Sequence, residues 1–202
     1  MDEISAKVAE WVERLREAGV GEDLWFDVID EISRLGHDAV PAILDHLGDE
    51  DRAVYVGLQK AIGRMEPLPV FYLCDHLRYG TELSRSRIPL LFSADRDPVA
   101  FAEAVPTLAD ALTDSDPDVR RWSAMALCLG GVHSEAAILA LISALKDKDW
   151  SVREWSAHAL GGMEVKEAEG PLTELLVDEV PPVRDAASEA IDAIRRRWSS
   201  SD

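Results

Sequence analysis

Histidine, cysteine and acidic side chains are the residues of this 202-residue chain that would carry catalysis or bind a metal. The five histidines show neither an H-E-x-x-H pattern nor a Cys/His spacing typical of zinc sites. The most suggestive group is Asp45-His46, which recurs as Asp75-His76 and brings two imidazoles and two carboxylates onto adjacent repeats. We interpret this recurrence as a solvated helix face repeated by ancestry. The sequence therefore predicts no catalytic residue, no metal site and no cofactor.

The cysteines and the common ligand-binding motifs lead to the same expectation. Cys74 and Cys128 lie in apolar stretches without a histidine nearby in sequence, which favours buried thiols over a nucleophile. A disulfide between them is the alternative. The chain has no G-x-S-x-G, Walker or G-x-G-x-x-G motif. We therefore expect a protein that is not an enzyme.

Two nearly identical stretches carry the residues best suited to recognition. The segment VRRWSAMAL begins at Val119 and VREWSAHAL begins at Val152, so Trp122 and Trp155 are equivalent and 33 residues apart. A weaker copy, VRDAASEAI, begins at Val183. Apolar residues lie at offsets zero, seven and eight from each valine, which places them on one face of an α-helix.

Each of these helices follows another apolar segment, such as AVPTLADAL from residue 104 before the copy at Val119. The same order occurs 65 residues earlier, where AVPAILDHL from residue 39 precedes a copy at Val54. Glycine and Asp/Ser residues separate the segments, as expected where helices end and begin. A period of about 31–33 residues with two helices per unit and no strand signal predicts an all-α solenoid.

We predict about six antiparallel helix pairs in a single α-solenoid domain over 1–202. Pro89 interrupts the second helix of the third unit, which makes that copy degenerate. The repeats are expected at approximately 1–36, 37–65, 66–95, 98–131, 134–163 and 166–198.

The pattern D-x-x-V-R-x-x-(A/S)-A-x-A-L-G resembles the short HEAT-like repeat of phycobilisome lyases and of many bacterial HEAT-repeat proteins. Its clearest copies run from Asp116 to Leu127 and from Asp149 to Gly161. The resemblance implies a HEAT-like α-solenoid whose second helices line a concave face. It also implies a structural role for the charged residues of the motif, namely Asp116, Arg120, Asp149, Arg153 and Arg184.

Positions two, three, six and ten after each valine then face the concave groove. We predict that a partner binds these residues, which are Arg121, Trp122, Met125, Leu129, Glu154, Trp155 and His158. Exposed aromatic patches rimmed by charge are typical of interfaces. The alternative is that both indoles fill the seam between repeats. Trp11, Trp25 and Trp198 are expected to cap the ends of the solenoid.

Composition restricts the choice of partner. The formal net charge of −18 disfavours nucleic acid, because a surface with this charge repels phosphate. The absence of a long apolar run or a signal pattern favours a cytoplasmic protein without a membrane segment. We expect a protein or peptide partner with basic or apolar-basic chemistry, although the acidity is also explained by solubility alone. The sequence does not determine the oligomeric state.

Two enzyme families with HEAT-like repeats differ from this chain in the residues that their sites require. Deoxyhypusine hydroxylases bind iron through His-Glu pairs, and this chain contains no His-Glu dipeptide. HEAT-like DNA glycosylases use a basic concave face, whereas this chain is acidic. The predicted function is therefore a non-catalytic scaffold that binds a protein or peptide. The alternative is an enzyme or enzyme subunit resembling bilin lyases, with a tetrapyrrole in the groove.

Overall fold

The computed structural model describes residues 2–92, 97–131 and 133–199. These residues form twelve α-helices joined by short turns, and no β-strand occurs among them. The helices are α1 (Glu3–Ala18), α2 (Asp23–Ser33), α3 (Val40–Asp45), α4 (Arg52–Gly63), α5 (Val70–Tyr79), α6 (Glu82–Arg85), α7 (Pro98–Asp110), α8 (Pro117–Gly130), α9 (Glu135–Ala144), α10 (Trp150–Gly162), α11 (Glu169–Leu175) and α12 (Pro181–Ser199).

Consecutive helices form six pairs, so the predicted all-α repeat architecture is confirmed. The chain divides into two compact units, Met1–Leu91 with α1–α6 and Phe92–Asp202 with α7–α12. The single domain expected over 1–202 stays a prediction.

The third pair is irregular, as the proline in its second helix predicted. Thr81 caps α6 by accepting a hydrogen bond from the backbone N–H of Ser84, but the helix ends after one turn at Arg85. Pro89 then begins a separate 3-10 turn, Pro89–Leu91. Since proline has no N–H and its ring crowds the preceding turn, the second helix cannot continue through this position.

Small side chains set the spacing of the second helices in the second unit. The aligned residues Val119, Val152 and Val183 are completely buried, so each helix turns the same face into the core. A Cβ atom built on Gly161 of α10 would lie 2.6 Å from both Cα and Cβ of Ala190 on α12. The two helices are therefore closer together than any larger residue at Gly161 would allow.

An arginine–aspartate ladder links the turns of successive pairs in this unit. Arg120 donates from Nε and Nη2 to the two carboxylate oxygens of Asp147, at 2.7 and 2.9 Å. Arg153 repeats the arrangement with Asp178, at 2.8 and 2.9 Å. Each arginine also donates from Nη1 to a carbonyl of its own turn, as does Arg184 to the carbonyl of Asp178 at 2.7 Å.

The ladder supports the structural role implied for the motif arginines but assigns their carboxylate partners differently. Asp116 and Asp149 are helix N-caps that accept backbone N–H groups, which contributes about 1 kcal/mol per cap. The ion-pair partners are instead Asp147 and Asp178, which lie five residues before the valine of their own copies. Both pairs are almost entirely buried, so the loss of one partner would leave an uncompensated charge.

Candidate functional site

Three successive second helices, α8, α10 and α12, present equivalent positions side by side in the second unit. We call their shared outward face the ladder face. Its residues are Arg121, Trp122, Met125 and Leu129 on α8, Glu154, Trp155, His158 and Gly162 on α10, and Asp185, Glu189 and Ala193 on α12, together with the adjacent Asp192. The third position on α12 is Ala186, which is buried. The seven residues predicted from the sequence all belong to it.

Both predicted tryptophans of the ladder face are half-buried. The guanidinium carbon of Arg121 lies 4.4 Å from the centre of the Trp122 ring, within the range of a cation–π contact. Arg121 also pairs with Asp118 at 3.0 Å, which holds its side chain over the indole. Trp155 lies beside His158, with ring centres 5.8 Å apart. Each indole therefore packs against neighbours with one part and is open to solvent with another.

The apolar part of the ladder face lies on α8. Leu129, near the end of α8, is 66% exposed. Met125 is half-buried one turn earlier, and Glu154 is half-buried on α10. Together with Trp122, Leu129 and Met125 give α8 an accessible apolar surface with Arg121 at its edge, and Glu154 lies beside it on α10.

The acidic part lies on α12 and borders a cleft of about 380 Å³ between α10 and α12. The carboxylates of Glu189 and Asp192 are exposed at this cleft, and Asp185 is exposed one turn earlier. His158 is the only predicted site residue that lines the cleft. The lining residues are His158, Gly161, Gly162, Glu189, Ala190, Asp192, Ala193 and Arg196.

Sequence reasoning missed the α12 side of this surface. Glu189 and Asp192 stand six and nine residues after Val183, so Glu189 is the counterpart of Met125 and His158. The signal is present in the sequence, because the third copy aligns on Val183. The tryptophan pattern, however, singles out only the first two copies.

The remaining tryptophans lie elsewhere. Trp25 is completely buried in the first unit and donates its indole N–H to the carbonyl of Ala53 at 2.8 Å. Trp198, near the end of α12, donates to the carbonyl of Glu164 at 3.0 Å. Trp150, the first residue of α10, is 45% exposed. Trp11 on α1 is half-buried.

A second cleft, of about 360 Å³, lies in the first unit and contains one of the two histidines considered as ligands. The imidazole Nε2 of His76 is 2.8 Å from the hydroxyl of Ser84, and both residues line the cleft with Asp45 and Asp75. Burial lowers the pKa of His76, and the two carboxylates oppose this shift. The imidazole therefore belongs to a hydrogen-bonded packing arrangement between α5 and α6.

The metal-ligating side chains and the two thiols are dispersed over the fold. Within 2–92, 97–131 and 133–199, no cluster of three or more His, Cys, Asp or Glu residues has a geometry that would hold a metal ion. Cys74 is buried, Cys128 is half-buried, and neither is in a disulfide. Burial raises the pKa of the Cys128 thiol, which favours its unreactive protonated form.

The repeat pattern, the helix pairs and the arginine–aspartate ladder are together those of a HEAT-like repeat protein. Residues 105–192 match the family model for HEAT repeats. None of the curated proteins matches the sequence. Among the helices of the described residues, none is both long and apolar enough to cross a bilayer.

Solved structures with the same fold include natural and designed repeat proteins. A chain from the complex of CpcE and CpcF of phycocyanin lyase from Nostoc sp. PCC7120 has a TM-score of 0.62 at 22% identity, covering 76% of this chain and 98% of that one. A designed armadillo repeat protein in complex with the peptide (KR)4 has a TM-score of 0.57 at 15% identity, covering 96% of this chain and 100% of that one. A second designed armadillo repeat protein has a TM-score of 0.57 at 16% identity, covering 93% and 99%.

Proposed function

We propose that the ladder face is a non-catalytic binding surface for a protein segment that carries apolar and basic side chains. The observation that supports this most strongly is the continuity of the face across three helices. Half-exposed aromatic and apolar side chains on α8 and α10 lead directly into exposed carboxylates on α12. A surface with this composition offers anchoring contacts at one end and charge complementarity at the other.

The apolar contacts would come from Trp122, Trp155 and Leu129. Tryptophan is among the residues that contribute most to binding energy at interfaces, because it buries a large rigid surface. Arg121 already covers one face of the Trp122 ring, so a partner would contact the open part of that indole and the guanidinium above it. Leu129 lies two turns, about 10 Å, further along α8 than Trp122, so a neighbouring apolar side chain of the same segment would cover it.

The charge of the protein favours a basic partner. The net charge of −18 attracts a cationic segment over a distance, and the α12 carboxylates provide local partners for it. Among proteins of similar fold, the designed armadillo repeat protein in complex with (KR)4 has a basic peptide as its ligand. That likeness supports only the suitability of the fold, because function depends on the site rather than on the architecture.

The test is the binding of a fluorescein-labelled peptide of alternating leucine and arginine, measured by fluorescence anisotropy. Replacing both Trp122 and Trp155 with Ala should weaken binding by about tenfold or more, because interface anchors each contribute more than 1 kcal/mol. The matched control is Trp150→Ala, which removes a tryptophan from α10, the helix that carries Trp155, but outside the ladder face. Circular dichroism of each variant checks that the helical content is unchanged.

A second pair of variants keeps the test decisive if the double tryptophan variant does not fold. Glu189→Gln with Asp192→Asn removes two exposed charges from the ladder face, whereas Glu103→Gln with Asp110→Asn removes two exposed charges from α7. Only the double substitution on α12 should weaken binding. Equal effects of the α12 and α7 double substitutions, or no binding by the wild type, would refute the proposal. A change in the visible absorbance of added bilin, without peptide binding, would support the alternative lyase-like function instead.

A further inference from the structure

We infer that the bound segment has a fixed register, with its apolar anchor on α8 and a lysine or arginine in the cleft between α10 and α12. This inference rests on the proposed binding function and specifies the chemistry of its ligand. It follows from the opposite character of the two ends of the ladder face and from the shape of the cleft.

The α8 end accepts an apolar side chain and disfavours a cation. Leu129 is largely exposed and Met125 is half-exposed beside it. The one ladder-face charge on this helix is the guanidinium of Arg121, which lies over Trp122 and pairs with Asp118. A second cation there would meet like charge, whereas an aliphatic or aromatic side chain would cover exposed apolar surface.

The α12 end has the opposite preference. Glu189 and Asp192 line the cleft together with Arg196, so two carboxylates face one guanidinium there. Asp185 and Glu154 add two carboxylates next to it on the ladder face. The cleft volume of about 380 Å³ is at the lower end of the range of ligand-binding pockets, which suits one long side chain.

The two adjacent glycines of α10 have different roles at this cleft. Gly161 is required by packing, because any Cβ there would collide with Ala190 on α12. A Cβ atom on Gly162 would have no other atom within 4 Å, and its backbone is not left-handed, so neither packing nor conformation requires a glycine. A helical glycine costs roughly 0.5–1 kcal/mol relative to alanine. The space beside Gly162 would receive the aliphatic stem of a lysine or arginine while its charged group reaches the carboxylates.

The helix spacing sets the distance between the two anchors. Packed helices lie about 10 Å apart, so α8 and α12 are separated by about 20 Å across α10. An extended chain advances about 3.3 Å per residue, so the two anchors should be about six residues apart. An even separation also places both side chains on the same side of the extended segment, because side chains alternate.

The experiment compares labelled peptides that contain one leucine and one arginine in a serine–glycine background, separated by three, six or nine residues. Anisotropy titrations of wild type should give the tightest binding for the six-residue separation. The affinity of that peptide is then measured with Glu189→Gln/Asp192→Asn and with Leu129→Ser, and each measurement is repeated with the peptide arginine replaced by glutamine or the leucine replaced by alanine.

The expected result is two independent couplings. The acidic variant should lose up to about fivefold in affinity for peptides with arginine and nothing for those without it, as for an exposed ion pair. Leu129→Ser should lower the affinity only for peptides that contain the leucine. Gly162→Ala should reduce the affinity for the arginine peptide although it does not destabilise the fold, which separates a binding effect from a folding effect.

Two failures are distinguishable. The register is wrong, while the proposed function stands, if the peptides bind but their affinity does not depend on the separation. The same holds if the acidic variant affects only the peptide leucine and Leu129→Ser affects only the peptide arginine. If the alternating leucine–arginine peptide also fails to bind, the proposed function is refuted and the register with it.

Discussion

Substituting each of the two adjacent glycines of α10 with alanine should change stability in opposite directions. At Gly161 the new methyl group would lie 2.6 Å from Cα and Cβ of Ala190, so α12 would have to move. Overpacking of this kind costs about 1–3 kcal/mol, against a gain of roughly 0.5–1 kcal/mol in helix propensity, so the net effect should be a loss of stability. At Gly162 the methyl group meets no atom within 4 Å apart from those of its own helical turn, so the propensity gain of roughly 0.5–1 kcal/mol should remain.

The free energy of unfolding in urea, measured by far-UV circular dichroism, distinguishes these outcomes. Gly161→Ala should lower the midpoint at an unchanged slope, and Gly162→Ala should raise it slightly. Adding Ala190→Gly to Gly161→Ala should restore only part of the loss, because the Cα atom of residue 190 remains in contact. If Gly161→Ala is as stable as Gly162→Ala, then α10 and α12 do not approach as described, and the shape of the cleft between them is wrong.

Two further predictions concern buried charge and pH. Asp178→Asn should lower the free energy of unfolding by about 3 kcal/mol at pH 7, because Arg153 would keep a buried charge without its carboxylate partner. The hydrogen bonds from Arg153 lower the pKa of Asp178, so this contribution is present above about pH 4 and lost as the pH falls through the folded-state pKa. Urea unfolding of both proteins at pH 7 and pH 3 should therefore show a difference that shrinks with acid, and a constant difference would contradict the ion-pair assignment. His76 should make the fold less stable as the pH falls below about 6.5, because burial lowers its pKa and the unfolded chain takes up the proton more readily. Unfolding of wild type and His76→Gln between pH 7.5 and 5.5 checks this, and equal pH dependence in both would exclude the effect.

The helical repeat could be predicted from the sequence because its signals are local. Valine and alanine at fixed offsets determine which face of each helix is buried, and Val119, Val152 and Val183 are all completely buried. Pro89 predicted the short α6 through its missing N–H. These features depend on backbone geometry and apolar periodicity, which a single sequence displays directly.

The partners across repeats were harder to predict because they depend on distances between helices. Arg120 and Arg153 were assigned structural roles, but their carboxylates, Asp147 and Asp178, became evident only when successive turns were placed side by side. The cleft beside Gly162 has the same origin. A glycine near the end of a helix suggests termination, and only the position of α12 shows that it borders an open cleft.

The degree to which the tryptophans face solvent also could not be decided from offsets. The third position after each valine lies at the border between the buried and exposed sides of the helix. A small rotation of the helix therefore determines how much of the indole is exposed. In the structure both Trp122 and Trp155 are half-buried, with Arg121 and His158 as ring neighbours. The choice between groove and seam therefore depends on whether a ligand reaches the open part of each indole.

An NMR titration with the alternating leucine–arginine peptide tests the ladder face most directly. Each of the six tryptophans gives an indole N–H signal, and Trp122→Phe and Trp155→Phe identify two of them. Peptide should shift these two signals and the backbone amides of α10 and α12 around the cleft, while the indole of the buried Trp25 stays unchanged. Shifts confined to α7, α9 and α11 or to the first unit, or no shifts at all, would contradict the assignment of the ladder face as the binding surface.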